Sequence, residues 1–410
     1  MMPVLSIIHY PVFGGPHNRN TRLSPVMARR GVQTTVLLPD EPGNAADRMR
    51  SAGVDVVQLP LRRLRASRNP LTHFRFMRDF RSDLNGIEAL IRQRGIDVVQ
   101  INGLVNPHGA IAARRACVPV VWQILDTFTP VPLRRVLAPV VRHYADAVMC
   151  TGRVVAKGHP GCVRAGGALI NFFPPVDLRL FAQSAVVRRE ARLELGIDDA
   201  SLVVGTVGNV NPQKGHDSFI RAAAELRRRA PDCRFLILGA SYDVHRAYRE
   251  GLLRLATELG LEVGRDLLLL DPKGQVHRYA QAMDIFWMTP RPQSEGIPTS
   301  MEEAMALGLP VVSFDVGSIG ELIQEGRSGF VIAEQDPVAV ADVTVARLLD
   351  AGARTAMGLA GRDFVERHAS LEQCADRHVE AYEAAIRGHS RRTGSASPDA
   401  SSAGSVREHG

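Results

Sequence analysis

The sequence predicts an α/β protein made of two doubly wound domains, each with a parallel sheet covered by helices. Short apolar runs rich in Val and Ile alternate with longer amphipathic stretches, which is typical of strands buried on both faces and of the helices that cover them. The alternation stops at the proline-containing segment 172–181 and then starts again. A chain of 410 residues is long enough for two cores. We therefore expect an N-terminal domain at 1–175 and a C-terminal domain at 176–370.

The elements of the N-terminal half follow this alternation. Six apolar runs predict strands at 4–10, 32–39, 54–60, 96–103, 118–125 and 146–152. Helical spacing of apolar residues predicts helices at 17–30 and at about 73–94.

The C-terminal half repeats the pattern and then changes. Strands are predicted at 202–209, 234–240, 266–271, 284–290, 310–315 and 329–333, with helices at 215–230, 244–259, 275–282 and about 299–307. An amphipathic helix at 378–386, within a segment 371–387, is expected to close the fold and return to the N-terminal domain. From 388 to 410 the chain is rich in Ser, Gly, Arg and His, which predicts a disordered tail.

Composition bounds the classes of protein. No apolar run reaches 18 residues, so no transmembrane helix is expected. The five cysteines form no C-x-x-C pair, which fits a reducing cytosol and argues against a zinc site. The net charge of +7 favours a solvated basic surface over a dedicated acidic partner. The basic, aromatic-containing segment 62–81 is expected to line an acceptor site or to contact anionic lipid at the inner face of the membrane, whereas nucleic acid is not an expected partner.

The strongest chemical signal lies between residues 290 and 320. Glu295 stands on a loop after a predicted strand, and the next residues can open a helix: Gly296, Ile297, Pro298, Thr299 and Ser300. Free backbone N–H groups and the positive end of the helix dipole at such a start make a site for a diphosphate. Glu303, in the predicted helix, supplies a carboxylate that can accept two hydrogen bonds from a ribose diol.

Two glycine-containing loops give weaker signals. The segment from Gly208 through Asn209 to Lys214 and Gly215 joins a strand to a helix, and Lys214 is a point charge able to meet a phosphate. This is not a Walker A loop, because G-x-x-x-x-G-K-[ST] is absent. The pair Gly14-Gly15 allows close approach of a ligand, with a tight turn as an equal alternative.

With these motifs, the chain resembles the retaining GT-B glycosyltransferases of family 4 from Val4 to about Ile386. Glu295 and Glu303 match that family's two glutamates separated by seven residues. Gly208–Gly215 matches its phosphate-binding segment, and Gly15 belongs to its glycine turn near the donor phosphates. The resemblance implies a GT-B fold, in which two Rossmann-like domains face an interdomain cleft.

The resemblance also implies roles for these residues. Lys214 is expected to contact the donor diphosphate, Glu303 the nucleotide ribose and Glu295 the hydroxyls of the donor sugar. The amides of 296–300 would cradle sugar and phosphate. The implied reaction is transfer of a sugar from a nucleotide diphosphate sugar to an acceptor hydroxyl, with no metal and no cofactor other than this co-substrate. No D-x-D cluster contradicts that expectation.

Two positions depart from the family pattern. Asn209 stands where the family usually has Arg in the phosphate loop, and Arg291 is a candidate replacement. Leu125 stands where the family often has His ahead of an Asp, here Asp126, which we expect to assist catalysis as a polar group. The candidates for the acceptor side are His108 and Asn102, although a lone His is more often structural than catalytic.

Alternatives to a cytoplasmic transferase of glycoconjugate, polysaccharide or secondary-metabolite biosynthesis stay open at this stage. One is another GT-B-type activity, such as a nucleotide-sugar epimerase or a phosphorylase. The other is a non-catalytic nucleotide-sugar-binding protein. Asn209 and Leu125 favour this alternative, because they replace the Arg and the His of the family pattern. The residues indicate neither the donor nor the acceptor.

Overall fold

The computed structural model describes residues 1–62, 70–292 and 295–394. Seven strands form the sheet of the N-terminal domain: β1 (Met2–Ile8), β2 (Val32–Pro39), β3 (Asp55–Leu59), β4 (Val98–Asn102), β5 (Val120–Ile124), β6 (Ala147–Thr151) and β7 (Ala168–Phe172). All pairs are parallel, and the spatial order is β3-β2-β1-β4-β5-β6-β7. Parallel strands need crossover connections, and helices supply most of these: α1 (Gly15–Arg29), α2 (Ala45–Ser51), α3 (Pro70–Gln93), α4 (His108–Arg115), α5 (Val131–Tyr144) and α6 (Arg153–Lys157).

Six strands form a second parallel sheet in the C-terminal domain: β8 (Val203–Val207), β9 (Arg234–Leu238), β10 (Leu267–Leu270), β11 (Ile285–Met288), β12 (Val311–Phe314) and β13 (Gly329–Ile332). Their order is β10-β9-β8-β11-β12-β13. The helices of this domain are α7 (Ala185–Glu194), α8 (His216–Arg229), α9 (Arg246–Glu258), α10 (Val276–Tyr279), α11 (Thr299–Ala306), α12 (Pro337–Arg347) and α13 (Ala351–His368). The two sheets confirm the predicted α/β class with two doubly wound domains.

The last helix, α14 (Leu371–Thr393), packs on the N-terminal sheet. Its buried side chains share one apolar core with α1 and with strands of that sheet: Cys374, Ala375, Ala381, Tyr382 and Ala385. The helix ends six residues later than Arg387, at a left-handed Gly394. The tail predicted to begin at 388 is therefore corrected, because His389 and Arg392 bind the buried Asp146 and hold the last turns. Residues 395–410 lie outside the described residues.

Several elements were not predicted. Three prolines at 130, 132 and 139 obscure α5, whereas the apolar spacing of α13 is weak and its first half is rich in Ala and Gly. The predicted helix 275–282 is the short α10 followed by a 3-10 turn at Ala280–Ala282. The predicted first strand ends at Ile8 rather than at residue 10.

The sheet orders determine where a ligand site can form. In each domain the strand order reverses beside the first strand, between β1 and β4 and between β8 and β11. Ligands of open α/β sheets bind at the carboxyl ends of strands at such a point. Gly15 follows β1, and the segments of Lys214 and Glu295 follow β8 and β11. No helix in the described part of the chain is long and apolar enough to cross a membrane, and the five cysteines are free thiols.

Candidate functional site

The loop after β8 holds Lys214 over a glycine. A Cβ at Gly208 would lie 3.1 Å from Lys214 Cδ, so the lysine stem runs across the space that a side chain would fill. Gly215 is left-handed (φ 63°), and a Cβ there would collide with the Thr289 carbonyl oxygen. The Thr289 hydroxyl donates to the Gly215 carbonyl at 2.9 Å. The loop is therefore fixed against the end of β11, where the second motif begins.

Lys214 and Glu295 meet across this junction. The Lys214 Nζ lies 2.5 Å from Glu295 Oε1, and the two side chains are 25% and 11% exposed. Two residues 81 positions apart in sequence thus form a half-buried ion pair at the carboxyl ends of β8 and β11. The pair places a cation and a carboxylate side by side, where a phosphate can attract the first and a hydroxyl can donate to the second.

The segment after Glu295 is held from its other side by the loop after β12. A Cβ at Gly317, which is left-handed, would collide with the Glu295 carbonyl oxygen. The Ser318 N–H donates to the Gly296 carbonyl at 2.9 Å. The backbone at Glu295 and Gly296 is therefore fixed before α11 begins.

The start of α11 offers its positive end to this region. The N-cap residue, Pro298, provides no side-chain cap. Ile297 and Pro298 are buried, whereas Thr299 and Ser300 are half-buried. An uncapped helix start attracts an anion through its N–H groups and dipole.

Glu303 lies on α11 and pairs with the other domain. Its Oε1 accepts from Arg22 Nη2 of α1 at 2.5 Å. Burial raises the pKa of Glu303, and Arg22 acts in the opposite direction. The neighbouring Glu302 is wholly buried, and burial raises its pKa well above the ordinary value, with Glu303 adding to the shift.

The domains also touch at the position where the family pattern is broken. A Cβ at Gly296 would collide with the Leu125 carbonyl oxygen, so the two backbones are in close contact. A second contact joins the Glu321 carboxylate to the start of α6, where it accepts from the N–H groups of Arg153 (2.9 Å) and Val154 (2.8 Å). A carboxylate from one domain therefore caps a helix of the other.

Four further candidate residues differ in burial and in their partners. Asn209 is exposed, and Arg291 pairs with Asp217 at 3.0 Å rather than replacing the missing arginine. Asp126 is exposed directly after β5, and its Oδ1 accepts from the Phe128 N–H at 3.0 Å. Gly15 is exposed at the start of α1, with no heavy atom within 4 Å of where its Cβ would be.

The two candidates for the acceptor side lie inside the N-terminal domain. Asn102 is buried, donates to Ser6 Oγ and to the Ile7 carbonyl (both 3.0 Å), and accepts from Arg19 Nη2 at 2.7 Å. The structure corrects this prediction, because these bonds are internal to the fold.

His108 is corrected for a related reason. It is wholly buried against the rings of Phe76 and Phe80, whose centroids lie 5.2 and 4.6 Å from its own. Burial lowers the pKa of His108 to about 4, so the ring is neutral. A side chain packed in this way belongs to the core and does not face an acceptor.

Sequence reasoning missed Arg19 and Arg22 on α1. The signal was available in the helical spacing, which places Arg19 on the same face as Leu23 and Val26. A long polar side chain on an apolar face needs a buried partner, and both arginines have one.

The described residues contain no group of three or more His, Cys, Asp or Glu placed to hold a metal ion. Lys214 with Glu295, and Arg22 with Glu303, instead form pairs of opposite sign. Two Rossmann-like domains that meet in this way are the architecture of the GT-B glycosyltransferases.

Comparison with known proteins identifies the family. The model for glycosyl transferases group 1 matches residues 187–364, and that for the glycosyl transferase 4-like domain matches residues 14–159. The chain belongs to the group 1 glycosyltransferases, which confirms the family drawn from the motifs, and retention of configuration stays a prediction.

Curated relatives share about a third of the residues that align. The chain is 30% identical over 238 residues to a GDP-mannose-dependent alpha-(1-6)-phosphatidylinositol monomannoside mannosyltransferase of Mycolicibacterium smegmatis, covering 57% of this chain and 61% of the relative. It is 33% identical over 221 residues to a D-inositol 3-phosphate glycosyltransferase of Segniliparus rotundus, covering 53% and 48%. The alignments thus span about half to three fifths of these relatives.

Solved structures show the same fold at low identity. Anabaena HepE in complex with UDP and glucose has a TM-score of 0.77 at 19% identity, covering 93% of this chain and all of that one. A glycosyltransferase from Rickettsia africae has a TM-score of 0.78 at 14% identity, covering 94% and 99%. These similarities show that the chain shares the fold of these proteins.

Proposed function

We propose that this chain is a retaining glycosyltransferase that moves a sugar from a nucleotide diphosphate donor to an acceptor hydroxyl. The observation that carries the proposal is the contact of Lys214 Nζ with Glu295 Oε1 at 2.5 Å, beside the uncapped start of α11. Glu303, further along the same helix, adds a second carboxylate. A cation, a helix start and two carboxylates match the diphosphate, sugar and ribose of such a donor.

In the proposed reaction, the bond from the anomeric carbon to the diphosphate breaks, and a bond to the acceptor oxygen forms on the same face of the sugar. Lys214 and the amides of 296–300 stabilise the charge that develops on the leaving diphosphate. Glu295 accepts hydrogen bonds from the sugar hydroxyls and orients the ring. The acceptor proton passes to the leaving phosphate oxygen, and the exposed Asp126 assists as a polar group.

We also propose that no metal is required. The ammonium of Lys214 and the positive end of α11 supply a field that a divalent cation would otherwise provide. Asn209 contributes no charge, and Arg291 is engaged with Asp217, so Lys214 carries most of this task.

A panel of nucleotide sugars tests the proposal. UDP-, GDP-, ADP- and dTDP-sugars are screened for an upward shift in melting temperature, because a ligand that binds only the folded state stabilises it. The stabilising donor is then incubated with candidate hydroxyl acceptors, with and without EDTA, and the product is analysed by NMR. We expect retained anomeric configuration and turnover in EDTA; an inverted product would contradict the proposed mechanism.

The same experiment separates the other candidates. Conversion of the donor without an acceptor would indicate an epimerase or a hydrolytic activity, and sugar release driven by phosphate would indicate a phosphorylase. Tight donor binding without turnover would indicate a non-catalytic binding protein. The relatives named for mannosyl and inositol substrates make glycoconjugate acceptors the first to try.

We further propose peripheral contact with an anionic membrane through α3. Phe74 and Met77 are exposed on this helix beside the exposed Arg78 and Arg81. Apolar side chains flanked by arginines suit the interface of an anionic bilayer. Co-sedimentation with phosphatidylglycerol vesicles, but not with phosphatidylcholine vesicles, is expected, and Phe74→Ser with Met77→Ser should reduce it.

A further inference from the structure

One arginine of the N-terminal domain reaches three separate parts of the molecule. Arg22 Nη2 donates to Glu303 Oε1 of α11 at 2.5 Å, and its Nη1 donates to the Pro175 carbonyl in the interdomain segment at 3.2 Å. The guanidinium carbon also lies 5.8 Å from the centroid of the Phe181 ring. Helix α1, the connecting segment and the proposed donor site are thus joined by a single side chain.

The pair is shielded from solvent, unlike other ion pairs of α1. The side chains of Arg22 and Glu303 are 16% and 11% exposed, whereas those of Arg29 and Glu372 are 63% and 58% exposed. Exposed pairs contribute little, because water screens them. A shielded pair holds its geometry, and loss of one partner leaves the other charge buried.

The bonds of Glu303 leave part of its carboxylate available. Arg22 occupies Oε1 only, so Oε2 can accept from a ligand hydroxyl. The adjacent Glu302 is turned inward and wholly buried, and neither of its carboxylate oxygens has a hydrogen-bond partner among the described residues. Of the two neighbouring glutamates, the arginine therefore fixes the one in the donor motif.

We propose that Arg22 is a positioning residue for donor binding, which holds the Glu303 carboxylate through Oε1 so that Oε2 meets a ribose hydroxyl. This inference rests on the function proposed above. Arg22 also binds the Pro175 carbonyl, so it holds Glu303 of the proposed donor site close to the segment that connects the two domains. A rotation that separates the domains would part Glu303 from its cation.

Nucleotide affinity tests the role directly. Dissociation constants of UDP, GDP, ADP and dTDP are measured by calorimetry for the full chain, and the tightest nucleotide is used for the variants. We expect Arg22→Gln to weaken binding about tenfold, Arg22→Lys to restore most of the affinity, and Arg29→Gln, the control on the same helix, to change nothing. Arg22→Lys also keeps the test possible if Arg22→Gln does not fold.

A double-mutant cycle asks whether Arg22 acts through Glu303. If it does, Arg22→Gln added to Glu303→Gln should weaken binding less than twofold beyond Glu303→Gln alone, because the interaction is already lost. Additive losses would overturn the inference. Tighter binding by Arg22→Gln would also overturn it, since the arginine would then compete with the ribose.

The pH dependence of nucleotide affinity distinguishes a positioning role from a purely structural one, because only the former would change it. The charged groups facing Glu303 are Arg22 from α1, which lowers the pKa of Glu303, and Glu302 on its own helix. Nucleotide affinity should fall as Glu303 is protonated, and this fall should begin at higher pH in Arg22→Gln than in wild type. In Arg22→Lys the profile should match wild type, and an unshifted profile in Arg22→Gln would contradict the role.

Failure of this inference is distinguishable from failure of the proposed function. If wild type binds none of the four nucleotides, the proposed function is refuted and this inference with it. If wild type binds a nucleotide and Arg22→Gln binds it equally well, only the role of Arg22 is refuted.

Discussion

The two domains use polar residues at comparable sheet edges in opposite ways. In the C-terminal domain, Lys214 and Glu295 follow the two strands that flank the switch point, and they form an ion pair there. In the N-terminal domain, Asn102 ends the equivalent strand β4 and turns into the core. Position at the end of a strand is therefore not enough to identify a ligand contact, because the neighbouring side chains decide where a polar group finds its partners.

The polar strand residues beside Asn102 bind the last helix. Helix α14 crosses to the N-terminal sheet and brings polar side chains into the core there: Tyr382 donates to Gln100 at 2.6 Å, and His378 contacts Gln123 at 2.9 Å. Arg19 completes the cluster through Asn102 and Gln123. Buried polar groups need such partners, so these strand residues serve to dock a helix.

The largest effect is expected at Lys214. Lys214→Ala should lower kcat/KM by a factor of roughly 30 to 10³, about 2–4 kcal/mol, because the leaving diphosphate loses its cation. Steady-state kinetics with the donor identified in the panel measure it. Lys214→Met keeps the stem that crosses Gly208 and should be equally impaired, whereas Lys273→Ala, an exposed lysine of the same domain, should behave as wild type. Near-normal turnover of Lys214→Met would show that the positive charge of Lys214 does not contribute to catalysis.

A second prediction concerns the helix that makes the N-terminal domain different. A chain ending at Arg387 lacks His389 and Arg392, the partners of the buried Asp146, and should lose about 2–3 kcal/mol of stability. A chain ending at Gly394 should match the full protein. Urea unfolding of both truncations measures this, and equal stability would show that the last turns of α14 do not contribute to docking.

A smaller effect is expected at Glu303. Glu303→Gln should raise KM for the donor with little change in kcat, at a cost of about 1–2 kcal/mol, since the carboxylate is proposed to hold the ribose away from the reacting carbon. Initial-rate kinetics separate the two constants. A lowered kcat at unchanged KM would instead place Glu303 in the chemical step.

The smallest effect on activity is expected at His108. His108→Phe should leave kcat/KM within about twofold of wild type, because the ring is packed between Phe76 and Phe80 and is not at the cleft. A loss of acceptor affinity in this variant would instead support the predicted contact between His108 and the acceptor.

The same variant should change the pH dependence of stability. The pKa of His108 is lowered from 6.5 to about 4, so the unfolded chain binds a proton in that interval and the folded chain does not. The contribution of the neutral ring to the free energy of unfolding is complete above pH 6.5 and is lost progressively as the pH falls toward 4. At about pH 5.5 the loss is about 1.4 kcal/mol. Thermal unfolding from pH 7 to pH 5 should show a shallower decline in His108→Phe than in wild type.

The candidate residues of the C-terminal domain lie together in the structure, whereas Asn102 and His108 of the N-terminal domain are buried, and the sequence signals behind the two sets differ. Lys214, Glu295 and Glu303 lie in loops and a helix whose own glycines and helix start indicate ligand binding. For Asn102 and His108, the sequence showed only a polar residue after a strand. The partners of Asn102 come from β1 and α1, and those of His108 come from α3, so they lie elsewhere in the sequence.

What the sequence determined alone was the alternation of strands and helices, the division near residues 172–181 and the family motifs, because these depend on local periodicity and spacing. What only the tertiary structure decided was which charged groups meet. Arg22 and Glu303 are 281 positions apart, and Glu321 caps α6 from 168 positions away. Such pairs form when two domains are brought together, and no local pattern in the chain records that packing.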